Sequence, residues 1–157
     1  MQNRPEFVHG EQDRRVLYLE GMWDLQACEA LTERIIKCAI EVHRELGPGL
    51  LESIYQDAFK IELATEGLKV VAGLRVPVVY KGQPISDSLR LDLLVEDRIV
   101  VELKSVERLH PVHVAQLITY LKLANCPKGL LINFNTTSLR LGGIRAVIHP
   151  TMYKSGS

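Results

Sequence analysis

Apolar residues recur at helical spacing between Ala30 and Leu46, at Leu31, Ile35, Ala39, Val42 and Leu46. The pattern predicts an amphipathic helix with one buried stripe. Thr32 or a neighbour is suited to cap its start, and Gly47-Pro48-Gly49 ends it. Glycine accepts the left-handed backbone of a helix stop, and proline cannot continue the ladder. A second helix is expected from about Leu51 to Glu66, with Ile54, Ala58, Ile61 and Leu63 inward and Gly67 as its stop.

Beyond Gly67 the period shortens to that of a strand. Val70 to Tyr80 is rich in β-branched residues, and Val76, Val78 and Tyr80 alternate. Lys81-Gly82-Gln83-Pro84 reads as a hairpin turn and Ile85 to Val95 as the returning strand. On that strand Leu89, Leu91 and Leu93 share one face, Arg90 and Asp92 the other. Glu96-Asp97-Arg98 then turns the chain into a third strand, Ile99 to Ser105. A helix follows from Pro111 to Ala124, on the apolar positions Val114, Leu117, Ile118 and Leu121. Leu130 to Phe134 has the unbroken apolarity of a strand inside a sheet, and Gly143 to His149 adds an edge strand. The order ααβββαββ is that of an α/β domain: a mixed central sheet flanked by helices, begun by hairpins and extended through a helical crossover.

Composition narrows the class. The 157 residues are 46% hydrophobic, with a mean hydropathy of +0.04, which suits one ordinary domain with a real core. The expected division is an N-terminal extension over 1–28, partly flexible, a single domain over 29–150 and a tail over 151–157. Within the extension, Val16, Leu17, Leu19, Met22 and Trp23 are apolar enough to dock. Its first residues lack the apolar core of a signal peptide, and no run approaches the roughly 20 apolar residues that span a bilayer. A cytoplasmic protein with no membrane partner is expected. Cys28, Cys38 and Cys126 form no CxxC and read as reduced thiols packed like small hydrophobes.

Lys plus Arg and Asp plus Glu both number 19, for a net charge of zero. That balance argues against bulk electrostatic attachment to nucleic acid or membrane. It averages two unlike halves, however. Residues 1–67 carry 7 basic and 13 acidic side chains, and residues 68–157 carry 12 basic and 6 acidic ones. A neutral chain can thus present a basic working face.

The third strand holds the most informative residues. Glu102 and Lys104 are two apart and point to one face, while Val101 and Leu103 point into apolar packing. A three-residue turn at Glu96-Asp97-Arg98 places Asp92 opposite Glu102, within about 5.5 Å between Cα atoms. Two facing carboxylates repel unless a cation lies between them. A hard divalent ion such as Mg²⁺ needs only one or two carboxylates, its remaining shell being water. Lys104 would then stand beside it, placed to orient or deprotonate a water or to neutralise phosphate charge. The plainer alternative is a solvated cross-strand cluster worth under about 1 kcal/mol.

Gly49-Leu50-Leu51-Glu52-Ser53-Ile54-Tyr55 spells GxxExxY. Together with Asp92, Glu102-Leu103-Lys104 and Gln116-x-x-x-Tyr120, it makes the chain resemble the GxxExxY protein family, which is grouped with the PD-(D/E)XK nuclease-like superfamily. The resemblance covers about residues 30–149. It implies an αβββαβ core, here with an extra N-terminal helix. It further implies Asp92 and Glu102 as metal-binding acids, the Leu103 carbonyl as a further ligand and Lys104 as the catalytic lysine. Glu52 matches the acid that the first core helix sends toward the metal, and Gln116 and Tyr120 match the helix bordering the active site. Leu91 stands where a proline often precedes the first acid.

Each secondary residue also has a simpler role. Glu52 in a first helical turn is favoured by the helix dipole alone. Tyr55 suits packing with a hydrogen-bonded hydroxyl, and Gly49 suits a tight turn. His43 near a helix end suits a packed or dipole-stabilised histidine. His110 and His113 flank a helix start as two solvated histidines, with His113 also placed to touch substrate. Arg90 and Arg108 are further candidate phosphate contacts, and Arg75, Lys81, Arg98, Arg140 and Arg145 are also usable.

The leading expectation is a Mg²⁺- or Mn²⁺-dependent nuclease acting on nucleic acid, DNA before RNA. The alternative is a non-catalytic module of the same fold that binds nucleic acid or protein. A third is an assembly unit in which the cluster is only a buried polar network. A strand-edge homodimer remains open.

Overall fold

The computed structural model describes residues 23–151; the residues 1–22 of the expected extension and 152–157 of the expected tail lie outside the described residues. Of the side chains read as able to dock, Trp23 is described, and its ring lies 5.1 Å from that of His149.

Helix α1 runs over Leu25–Leu46 and begins earlier than the apolar period suggested. Its cap is Asp24, whose carboxylate accepts from the Gln26 and Ala27 amides at 2.9 and 3.1 Å and so satisfies donors that the first turn leaves open. Thr32 instead lies inside the helix, its hydroxyl on the Cys28 carbonyl. Helix α2 covers Glu52–Thr65 and buries Tyr55, Phe59 and Leu63. This corrects the expected inner face. Ile54 and Ile61 are exposed, because the two aromatic rings, with more area to remove from water, turn the helix their way.

Strands β1 (Val70–Ala72), β2 (Arg75–Tyr80), β3 (Gln83–Arg90), β4 (Leu93–Val95) and β5 (Ile99–Lys104) follow, then helix α3 (Pro111–Ala124), β6 (Lys128–Asn133), an irregular turn over Leu139–Gly143 and β7 (Ile144–Ile148). The main sheet is ordered β1-β4-β5-β6-β7. Among the described residues β5 and β6 are the parallel pair, joined by the α3 crossover; the other pairs of this sheet are antiparallel.

The two long strands expected at 70–80 and 85–95 are each broken. Gly73-Leu74 and Leu91-Asp92 interrupt them at matching points, where the Gly73 amide donates to the Asp92 carbonyl and the Leu91 amide to the Leu74 carbonyl. Beyond the break, β2 and β3 leave the main sheet as a separate two-stranded ribbon. The ribbon turns at Lys81-Gly82, both at positive φ, as a two-residue hairpin loop requires. Pro84 therefore sits in β3, opposite Val79, rather than in the turn. The break also ends the strand face that Arg90 and Asp92 were expected to share.

Side-chain alternation sorts the sheet into two cores. Leu93, Val95, Ile99, Val101, Leu103, Leu130 and Ile132 pack under α1 and α2. Leu94, Val100, Leu131 and Val147 pack under α3, with Leu117, Tyr120 and Leu121. All three cysteines are buried free thiols. Among the described residues, no helix is long and apolar enough to cross a membrane.

Candidate active site

Asp92 lies in the bend just before β4, and the turn after that strand sets its partner. The pairs Leu93↔Val101, Leu94↔Val100 and Val95↔Ile99 carry Asp92 opposite Glu102, in the register that the turn length predicts. Past the last ladder pair, side chains replace strand pairing. The Asp92 amide donates to Glu102 Oε1 at 3.1 Å, and the Leu103 amide donates to Asp92 Oδ2 at 2.9 Å. In an extended strand the N–H and C=O of one residue face the same edge. The Leu103 carbonyl therefore opens toward the Asp92 side as well.

Glu102 is 5% exposed and lies on the α3 face of the sheet. Burial, followed by the charge of Asp92, pushes its carboxyl up to about 9. Without a cation, the pair retains a proton between carboxylates that cannot both ionise cheaply. Tyr120 on α3 is buried over the same place. Its phenol is raised by burial first, then by Glu102 and Asp92. Lys104, half-buried at the end of β5, is the cation felt by Glu102, Glu52 and His113.

Glu52 comes from the other side of the sheet, at the first turn of α2. Burial and then the charge of Asp92 raise its pKa, while Lys104 and a hydrogen bond from the Ser105 backbone oppose the rise. Ser105 also donates its hydroxyl to the Leu50 carbonyl at 2.6 Å, so the end of β5 grips the start of α2 twice. Tyr55 holds that start from within. Its hydroxyl donates to the Gly47 carbonyl at 2.5 Å and accepts from the Leu50 amide at 3.1 Å. Its ring stacks on Phe134 at 4.6 Å. Gly49, at φ +96, makes the turn in a conformation that disfavours any Cβ. The GxxExxY run is thus one structural unit: a glycine turn, an acid presented to the sheet end, and a tyrosine that closes the turn.

The remaining expected residues are more scattered. His113 lies near Lys104, with its pKa lowered by desolvation first and then by Lys104 and His110. Its Nδ1 accepts from the His110 amide at 3.1 Å, which makes the two histidines a helix cap. Gln116 is exposed on α3, one turn before Tyr120, and Arg108 is exposed in the loop after β5. Arg90 is exposed on the ribbon. His43 is not gathered with the acids: its Nε2 lies 2.7 Å from the Thr136 carbonyl, tying α1 to the loop after β6.

Two positioning residues escaped the sequence reading. Ser105 is one. The other is Asn133, 5% exposed, whose side chain accepts from the Val106 and Asn135 amides and donates to the Val106 carbonyl. It fixes the chain just after Lys104. The signal was present as a lone amide side chain inside the apolar run Leu130 to Phe134.

A mixed sheet between helices, with an acidic pair and a lysine at one strand end, is the architecture of a nuclease-like α/β domain. The model of the PD-(D/E)XK nuclease superfamily matches residues 29–146. The chain belongs to that superfamily. No curated protein and no solved structure matches it.

Nucleases of this superfamily generally use divalent metals, so the donor set can be tested for fit. Among the described residues, no three His, Cys, Asp or Glu side chains gather as a closed metal cage. Zinc would need such a cage, whereas Mg²⁺ would not. Two carboxylates and a backbone carbonyl form an oxygen-only set of the kind a hard cation accepts, leaving room for its waters. The raised carboxyl of Glu102 is the charge imbalance that such a cation relieves. The residues fit.

Proposed function

We propose that this protein is a Mg²⁺-dependent phosphodiesterase acting on nucleic acid, with DNA as the first substrate to test, and that it belongs to the GxxExxY family within its superfamily. The observation that carries the reading is the interlocked Asp92–Glu102 pair at the open end of β5, with Lys104 beside it. Asp92, Glu102 and the Leu103 carbonyl would hold the ion, with Glu52 reaching it or its water. A bound ion would acidify water and offset charge on the phosphate oxygens.

The protein groups have separate duties in this reading. Lys104 lies on the face of Glu102, where its ammonium orients a water and attracts the scissile phosphate. Tyr120 closes the α3 side of the site with an un-ionised phenol able to donate a hydrogen bond, and Gln116 borders the approach. His113, Arg108 and Arg90 are the phosphate contacts outside the acids. Ser105 and Asn133 hold the strand end still, which matters because small misplacements in such a site cost orders of magnitude in rate.

Glu102→Ala and Lys104→Ala test the assignment in a cleavage assay on plasmid DNA with and without Mg²⁺. Both are expected to abolish metal-dependent cleavage in protein that still unfolds cooperatively. The melting temperature should be broadly similar in Lys104→Ala and lowered in Glu102→Ala, which leaves the Asp92 amide without its acceptor. Cleavage that survives both substitutions in clean protein overturns it.

A further inference from the structure

The β2–β3 ribbon leaves the main sheet at the same bend that places Asp92, and at its root two arginines face each other. Arg75 and Arg90 are direct cross-strand partners. Like charges in that position are destabilising, yet strand pairing fixes them there. Neither forms an ion pair with a described residue, and the polar contact made by Arg75 is a long one, to Ser88 Oγ at 3.4 Å. The Arg90 guanidinium lies across Gly73, where an added Cβ would meet its Nη2 at 2.8 Å. A glycine thus leaves room for the planar fork against the backbone.

The position gives this pair its meaning. Arg90 is two residues from Asp92, so their Cα atoms are at most about 7 Å apart. From Arg90 to Gln83 the ribbon reaches roughly 23 Å further. Its tip exposes Tyr80, 63% accessible, with the Lys81 ammonium 5.4 Å above the ring. Residues 75–90 carry Arg75, Lys81 and Arg90 against Asp87.

We propose that the Arg75–Arg90 pair binds a backbone phosphate of a nucleic-acid duplex next to the carboxylate site, and that the β2–β3 ribbon lies along that duplex. Two exposed guanidinium groups on directly paired residues, with Cβ atoms about 5 Å apart, can reach one phosphodiester together and suit it better than any single carboxylate. A bound phosphate also removes the repulsion that the strand register imposes. A two-stranded ribbon is narrow enough to enter a major groove, and 23 Å corresponds to roughly seven base pairs at 3.4 Å each. The inference rests on the phosphodiesterase reading for its substrate but not for its measurement.

The test is fluorescence anisotropy with a labelled 20-base-pair DNA duplex, in Mg²⁺, on the Lys104→Ala protein so that the probe stays intact. Adding Arg75→Ala and Arg90→Ala is expected to weaken binding at least tenfold and to flatten the salt dependence by about one to two phosphate contacts. Adding Arg44→Ala and Lys60→Ala on α1 and α2 removes the same charge and is expected to change affinity less than twofold. Equal effects from the two pairs overturn the proposal and leave the phosphodiesterase reading intact. Wild-type protein that binds the duplex but never cleaves it overturns that reading instead, and the arginine comparison still decides this one. Protein that fails to bind duplex at low salt overturns the ribbon proposal whatever it cleaves.

Discussion

Ile99 opens β5 and Lys104 closes it, and the strand changes character between them. At the Ile99 end, β4 and β6 flank the strand in full register, and Ile99, Val100 and Val101 are completely buried. At the Lys104 end β6 continues as far as Asn133, but the β4 ladder has ended. The Asp92 carboxylate takes the Leu103 amide that another strand carbonyl would have taken, and the Glu102 carboxylate takes the Asp92 amide. The difference teaches how a site can be cut into a sheet: one strand stops early, and charged side chains inherit its hydrogen bonds.

Several substitutions separate the two ends. The largest effect on stability is expected from Ile99→Ala, about 2–5 kcal/mol for a buried large-to-small change, read from denaturant midpoints. Mg²⁺ binding by calorimetry should persist in that variant; its loss in folded protein would mean that the ends are not independent. Asp92→Ala comes next. It leaves the Leu103 amide without its acceptor, for about 1–3 kcal/mol, and the heat of Mg²⁺ binding should vanish. Retained binding would move the metal away from Asp92.

Glu102→Gln is expected to act in the opposite direction on the metal-free protein. The amide oxygen can keep the Asp92 amide, and the new N–H₂ can donate to the Asp92 carboxylate. With its carboxyl raised to about 9, Glu102 must take up a proton on folding at neutral pH; the amide needs none, which stabilises the variant by about 1 kcal/mol or more. Differential scanning calorimetry in chelator checks this, and a lower melting temperature would show the pair to be better satisfied than its geometry suggests. The smallest effect is expected near the Ile99 end. Lys69 and Asp97 form a 2.7 Å ion pair with side chains 51% and 38% exposed, so Asp97→Ala should cost under about 1 kcal/mol. A larger loss would make the turn before β5 part of the stability of the site.

The legible parts of the fold are those where local pattern and tertiary packing agree. Helix α3 has the expected bounds, because Pro111 starts it and the stripe through Leu117 and Leu121 meets the sheet directly. The register of β4 on β5 followed from the length of one turn. The inner face of α2 was misread because aliphatic spacing pointed to Ile54 and Ile61, whereas Tyr55 and Phe59 meet Phe134. The bend at Gly73 and Asp92 was hidden in runs of β-branched residues that continue on both sides of it. For the candidate site, the acids and lysine stood out as charges inside apolar strands. Ser105 and Asn133 did not, since nothing in their spacing says which backbone groups a fold will bring to them.

Closure of the Gly47–Leu50 turn by Tyr55 makes the spacing between Glu52 and Tyr55 a fixed interval rather than a preference for residue types. Ser53 and Ile54, between them, are both exposed and free to vary in chemistry. Their number is not free. One residue inserted there would swing the carboxylate about 100° around the helix axis relative to the anchored ring, leaving a folded helix that presents its acid to solvent. The segment therefore tolerates changes of letter and rejects changes of length.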